Sequence, residues 1–311
     1  MKQYTHAWLA MMAMKRLQKA TIAQSEQKAA ESLLKWFMNH RDFVTKGAWY
    51  PDAVIKDMAS SHVLKYKPGD QSTPGTFKRL PKEYHLYQIG KTNQLYKKVY
   101  SIEKGNLSDR CEAIAHSIID NLKMQEWEDK GSPISPTDNH VATLFYMLSH
   151  YIADAHMPLH CDYRSFSEGA DIHAHIEKEW DEAVRDCFSI DFENERFFYD
   201  PEGYPLQVKN IPMFAWINQE LGLRKFTSSY GTGNDNTWDF MCAITQFSYL
   251  TANQMIPAEY NEANLDWDTF LQLQTENNFD DYSKFILMDA IDSIAKVWLR
   301  IWMRYLKWMK L

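Results

Sequence analysis

Apolar residues recur at helical spacing along nearly the whole chain, and little in the sequence interrupts them. The pattern predicts helices over 6–20, 25–39, 83–103, 108–128, 139–157, 171–187, 213–222, 235–254, 266–274 and 282–310. Between Ala48 and Ala59 it predicts a turn and a short helix, opened by Tyr50-Pro51-Asp52. Residues 66–81 and the stretch from Ser132 to Asp138 read as loops, and Asp138 or Asn139 can cap the helix that follows. Residues 190–212 carry three prolines and read as irregular. Glycine accounts for only 11 of 311 residues, about half of ordinary usage. So few glycines argue against the tight turns of a β-sandwich or barrel. No G-x-G-x-x-G and no P-loop lysine motif is present either, which argues against a glycine-rich nucleotide site. The expected fold class is all-α, with residues 1–311 forming a single domain.

Composition narrows the function. A chain that is 45% hydrophobic and 14% aromatic has the material for a real core and is not a disordered segment. The formal net charge of −7 opposes a dedicated duplex-DNA binder. Cys111, Cys161, Cys187 and Cys242 are far apart and form no Cys-x-x-Cys; they could make two disulfides, but in a chain this size four buried thiols are the preferred reading. No apolar stretch approaches the roughly 20 residues of a membrane span. The first 20 residues lack a signal-peptide cleavage pattern. The expected location is therefore the cytoplasm, or outside the cell if a leader has been removed.

The segment richest in chemistry runs His150-Tyr151-Ile152-Ala153-Asp154-Ala155-His156-Met157-Pro158-Leu159-His160. His150 and Asp154 are four apart and project from one helix face. Pro158 breaks the helix, so His160 can turn back toward that face. A second pair at the same spacing follows, His175 and Glu179. Imidazole and carboxylate side chains in this arrangement are zinc-ligand types. A lone His–Asp pair usually makes a hydrogen bond and nothing more. Two pairs and a fifth candidate inside an apolar helix need partners for their buried polar atoms, and a metal supplies several at once.

With Asp154-Ala-His156-Met-Pro158-Leu-His160 preceded by His150, the sequence resembles the zinc-dependent phospholipase C superfamily, which includes the single-strand-specific zinc nucleases. The resemblance covers residues 1 to about 190 and leaves 191–311 as additional helices packed on that core. It implies a multi-helix bundle around a cluster of two or three zinc ions that cleaves phosphate esters. It also implies roles. His150, Asp154, His160, His175 and Glu179 would be metal ligands, with Asp154 bridging two metals. Asp52, in Trp49-Tyr-Pro-Asp52, resembles the family's upstream aspartate ligand, and Asp57 is the alternative. His62 resembles the histidine that follows it. His6 resembles the histidine that shares a third zinc with the N-terminal residue, a tryptophan in the family where this chain has Met1. Asp52 and Asp154 would carry catalysis, and His156 would stand behind the ligands. His173 and Glu177 are also four apart. His175 and Glu179 are preferred because Trp180 follows Glu179, as an aromatic stretch follows the family's last ligand.

Three functions compete. The first is a phospholipase C-type phosphodiesterase acting on a phospholipid, favoured by a glutamate in the last pair and by the overall acidity, which disfavours nucleic acid. The second is a single-strand nuclease or nucleotidase on the same cluster. The third is a non-catalytic, zinc-stabilised protein that binds a membrane or a partner. The stretch from Lys296 to Leu311 holds five basic residues and no acidic one. Lys296, Arg300, Arg304, Lys307 and Lys310 fall on one helix face, opposite Trp298, Trp302, Tyr305 and Met309. Such a helix can lie on a membrane surface or can pack its apolar face in the core. Aromatics near the proposed cluster, Trp49, Tyr50, Tyr66, Phe77, Tyr84 and Tyr87, could meet a base or an acyl chain, or could anchor loops.

Overall fold

Two helices are buried on all sides, and the others wrap them. The computed structural model describes residues 1–57, 59–66, 106–128, 132–162, 164, 172–231, 236–274 and 279–309. In chain order its α-helices are α1 (Gln3–Lys19), α2 (Gln24–Met38), α3 (Val44–Tyr50), α4 (Leu107–Trp127), α5 (Asp138–His156), α6 (Ile172–Cys187), α7 (Pro212–Leu223), α8 (Thr237–Met255), α9 (Trp267–Leu273) and α10 (Phe279–Trp308). Among the described residues the chain is all-α apart from isolated bridges and one antiparallel pair of two-residue strands, β1 (Ile190–Asp191) and β2 (Arg196–Phe197), inside the stretch expected to be irregular. The helix expected over 83–103, most of the loop expected over 66–81, and Phe77, Tyr84 and Tyr87 lie outside the described residues.

The central pair is α1, buried from Tyr4 to Met14, and α5, buried from Phe145 to His156. A helix apolar on every face is stable only when others cover it. Here α3 packs on both, α4 and α8 cover α5, α6 and α7 cover α1, and α10 runs against α1, α2, α4, α5 and α7. One apolar cluster runs through all of them, from Met1 to Tyr305.

Local chemistry sets the ends. The side chains of Asn106, Asn236 and Asp266 accept backbone N–H groups at the starts of α4, α8 and α9. At α5 the capping side chain is Thr137, one residue before the expected Asp138 or Asn139, and it accepts from His140 N–H. Pro158 stops α5, and residues Pro158–His160 form a single 3-10 turn. That turn is tied to the segment after His62: Leu64 N–H donates to the His160 carbonyl and Tyr66 N–H to the Cys161 carbonyl. His62 and His160 are thereby fixed on either side of the end of α5.

The C-terminal helix spends its apolar face inside the protein. Trp298 Nε1 donates to the Phe145 carbonyl at 3.1 Å, Trp302 Nε1 to Ser32 Oγ at 2.8 Å, and Tyr305 to Glu126 at 2.6 Å. Lys296, expected on a solvated basic face, is buried. Burial lowers its pKa to about 8 despite Asp292 and Asp289 nearby. Met309, expected on the apolar face, is exposed. No helix among the described residues is long and apolar enough to cross a membrane. The four cysteines are free, buried thiols.

Candidate metal centre

Three groups of metal-capable side chains meet at the junction of α1, α3, α5 and α6: His6 with His150 and Asp154; Asp52 with His62 and His150; and His160 with His173 and Glu177. Within each group the candidate donor atoms lie within 4.8 Å of one another. Asp154 is the hub. One of its oxygens is 2.8 Å from His62 Nδ1 and 3.2 Å from His150 Nε2. The other is 3.3 Å from the Met1 α-amino nitrogen, 3.5 Å from His6 Nε2 and 3.8 Å from His160 Nδ1.

Each member arrives by an identifiable route. Helical spacing on α5 stacks Asp154 one turn beyond His150. Tyr50 ends α3, and Pro51 opens a wide π-helical turn over Pro51–Ile55 that carries Asp52 and closes at Lys56 in the left-handed region, φ 50°. A 3-10 turn over Ala59–His62 delivers His62. α1 brings His6 beside His150, their rings stacked at 3.9 Å.

The structure places His173 and Glu177 in the cluster, and not His175 and Glu179. Glu179 is exposed, and His175 stacks on Trp267 of α9 at 5.2 Å. The pairs are two residues apart, so they point about 200° apart at about 100° per residue. The apolar stripe of α6, Ile172, Ile176, Trp180 and Val184, turns inward, and His173 falls within its arc while His175 falls outside. That stripe was the available signal, and the resemblance to an aromatic stretch misdirected the choice. Asp52 is in the cluster. Asp57 is not: it accepts from Tyr151 OH at 2.7 Å and pairs with Arg110 at 3.0 Å. His156 faces α10, with Nε2 2.9 Å from Ser293 Oγ, and contacts no member of the groups in the described hydrogen bonds. Trp49 lies 6.1 Å from the His6 ring, and Tyr66 is buried with its hydroxyl on Thr245.

The donor chemistry fits metal. His150 Nδ1 lies 2.8 Å from the Ala48 carbonyl, so Nδ1 donates the proton and Nε2 is left as a lone-pair donor facing Asp154 and Asp52. Both ring nitrogens of His6 and Nδ1 of His160 are buried without a hydrogen-bond partner, a state that burial penalises unless something else binds them. His160 Nε2 and His173 Nε2 face each other at 3.0 Å. Two imidazole nitrogens so close share a proton or a cation.

Electrostatics hold the carboxylates ionised. Burial opposes charge on Asp154, but His150, the Met1 amine and His160 outweigh it and keep its carboxyl well below the ordinary range. The same contest at Glu177, against the Met1 amine, His160 and His173, ends the same way. Burial lowers the pKa of His6, reinforced by His150, and that of His160. Neutral imidazole is the form that binds a metal. At His62 burial is outweighed by the hydrogen bond and charge of Asp154, and the pKa rises. The Met1 amine is buried between Glu177 at 2.6 Å and Asp154. Their charges outweigh burial and raise its pKa to about 10.

Comparison with protein-family models, with curated proteins and with solved structures finds no match.

Proposed function

We propose that this chain is a zinc-dependent hydrolase of phosphate esters, of the kind its resemblance to the phospholipase C superfamily implies, with a phospholipid as the first-choice substrate. The observation that carries the reading is the convergence on Asp154 of histidines from four separate segments, His6, His62, His150 and His160, with Asp52, His173 and Glu177 completing three donor groups. Nitrogen and carboxylate donors without sulfur, three protein donors to a group, are what a catalytic zinc site with an open position uses. Zinc bound there would supply Lewis acidity toward a phosphoryl oxygen and make water acidic enough to be a nucleophile near neutral pH.

The protein's own contribution is arrangement. Ala48 fixes the tautomer of His150. Asp154 faces the Met1 amine with one oxygen and His62 with the other from one buried position. Asp52 is the exposed member of the cluster and stands where substrate and water reach it. The same turn presents Val54 and Ile55 to solvent, an apolar rim suited to a lipid more than to a polynucleotide. Glu177 keeps a glutamate at the last ligand position, in line with the phospholipase reading.

The test is hydrolysis by metal-stripped protein before and after zinc is restored, on bis(p-nitrophenyl) phosphate, a phosphatidylcholine analogue and a single-stranded oligonucleotide. The expected result is zinc-dependent turnover of the first two. Turnover of the oligonucleotide in place of the lipid would move the assignment to the nuclease branch. Zinc binding without turnover of any ester would contradict the hydrolase reading and leave a zinc-stabilised helical protein.

A further inference from the structure

The metal-capable groups draw on α1 and α6, and these two helices share a contact that no ligand role explains. His173, Glu177 and Asp181 occur at four-residue intervals on α6, so they form one stripe. The first two belong to the cluster. Asp181 lies one turn further on and is buried against the start of α1, where its Oδ1 accepts the backbone N–H of Tyr4 at 3.0 Å and of Thr5 at 3.1 Å, with Thr5 Oγ1 at 3.5 Å.

A helix start leaves its first N–H groups without partners inside the helix. A side chain just ahead of the helix usually accepts one of them. Lys2 occupies that position in α1 and gives no such bond. Asp181 does the work from another helix, and its negative charge suits the positive end of α1. Glu177 adds a second tie, with one oxygen 2.6 Å from the Met1 nitrogen and the other 3.3 Å from Lys2 Nζ. The consequence falls on His6. Its ring is buried, has no hydrogen-bond partner, and sits at the end of the first turn of α1 with Nε2 3.5 Å from Asp154.

We infer that Asp181 is a positioning residue: by capping α1 from α6 it sets the placement of His6 against His150 and Asp154, and so tunes the group formed by those three while leaving the group of His160, His173 and Glu177 to the rest of α6. This rests on the metal reading for its functional meaning and on the described contacts for its geometry.

The experiment compares wild type, Asp181→Ala and Asp181→Asn, each metal-stripped and then titrated with zinc chloride. Asparagine keeps an acceptor oxygen at the same position, and alanine does not. Asp181→Ala is expected to weaken one class of zinc by about 10–100-fold, the scale seen when a group that orients a ligand is lost, with the other class unchanged and Asp181→Asn close to wild type. In the metal-free proteins, nuclear Overhauser contacts between the His6 and His150 rings should persist in wild type and Asp181→Asn and fade in Asp181→Ala. Unchanged zinc binding and unchanged ring contacts in Asp181→Ala would overturn the inference. So would an equal loss of every zinc class together with helicity, which would mark Asp181 as general support. If wild type binds no zinc, the metal reading fails by itself and the ring contacts alone decide the positioning claim.

Discussion

Asp154→Asn tests the hub of the cluster, with a magnitude that follows from its neighbours. The carboxylate is buried and faces five nitrogens, at 2.8 Å for His62, 3.2 Å for His150, 3.3 Å for Met1, 3.5 Å for His6 and 3.8 Å for His160. An amide keeps one acceptor, loses the charge and turns an N–H₂ group toward donors. In metal-free protein the Met1 amine then keeps Glu177 as its one direct ion-pair partner among the described contacts. Removing one partner from a buried charged pair costs about 3–5 kcal/mol. At about 2–4 °C per kcal/mol for a large domain, the melting temperature should fall by roughly 10 °C. With zinc present the loss is larger in kind, because one oxygen can no longer serve each of two groups. Zinc content should fall by at least one equivalent, and phosphodiesterase activity should fall further than for any other single ligand change. Circular dichroism melts of the stripped protein, elemental analysis and turnover of bis(p-nitrophenyl) phosphate give the three readings. A variant that melts within about 2 °C of wild type, roughly the width of 1 kcal/mol, and keeps its zinc and turnover would refute the hub role.

Gly47→Ala should disturb the same site from behind. A Cβ there would lie 2.9 Å from Tyr146 Cβ and 3.1 Å from its Cδ2, so α3 must move off α5 at a cost of about 1–3 kcal/mol. The adjacent Ala48 carbonyl then loosens its hold on His150. Urea denaturation should show the loss of stability and zinc titration a weaker affinity, and neither changing would contradict the account of His150. A pH effect follows from His156, which burial holds at a pKa of about 3 against an ordinary 6.5. A depressed histidine contributes stability in full above 6.5, and the contribution is lost as pH falls from there toward the folded value. Between pH 7.5 and 5.5 the metal-free protein should lose about 1.4 kcal/mol through this group alone. His156→Gln should remove that share of the loss, and an unchanged pH slope in urea would count against a neutral, buried His156. His62, with its pKa raised, works in the opposite sense: its contribution is lost as pH rises through the folded value.

Much of the architecture was readable because helices announce themselves by period and by their stops. Pro158 ended α5 where expected, and the caps of α4, α8 and α9 use the residue types that favour such positions. His150, Asp154 and His160 were legible for the same reason, since spacing on one helix and a proline break fix their relation. Asp52, His62 and His6 come from turns and from another helix, and only the resemblance pointed to them. The choice between His173 with Glu177 and His175 with Glu179 was a question of helix face. The stripe of Ile172, Ile176, Trp180 and Val184 favours His173 over His175, whereas Glu177 and Glu179 flank it equally and are not separated by it. Lys296 is misplaced because Asp289 and Asp292, seven and four residues before it on α10, and Arg16 on α1 all lie outside the basic stretch from Lys296 to Leu311. The partners of Asp181 are backbone N–H groups, which leave no mark in a sequence.

The most direct test of the metal centre is zinc stoichiometry after reconstitution in wild type, His173→Ala and His175→Ala. The account predicts two or three zinc ions per wild-type chain, one fewer in His173→Ala, and the full wild-type number in His175→Ala, whose ring lies against Trp267. Wild-type protein that takes up no zinc, or a loss of zinc in His175→Ala with none in His173→Ala, would contradict it.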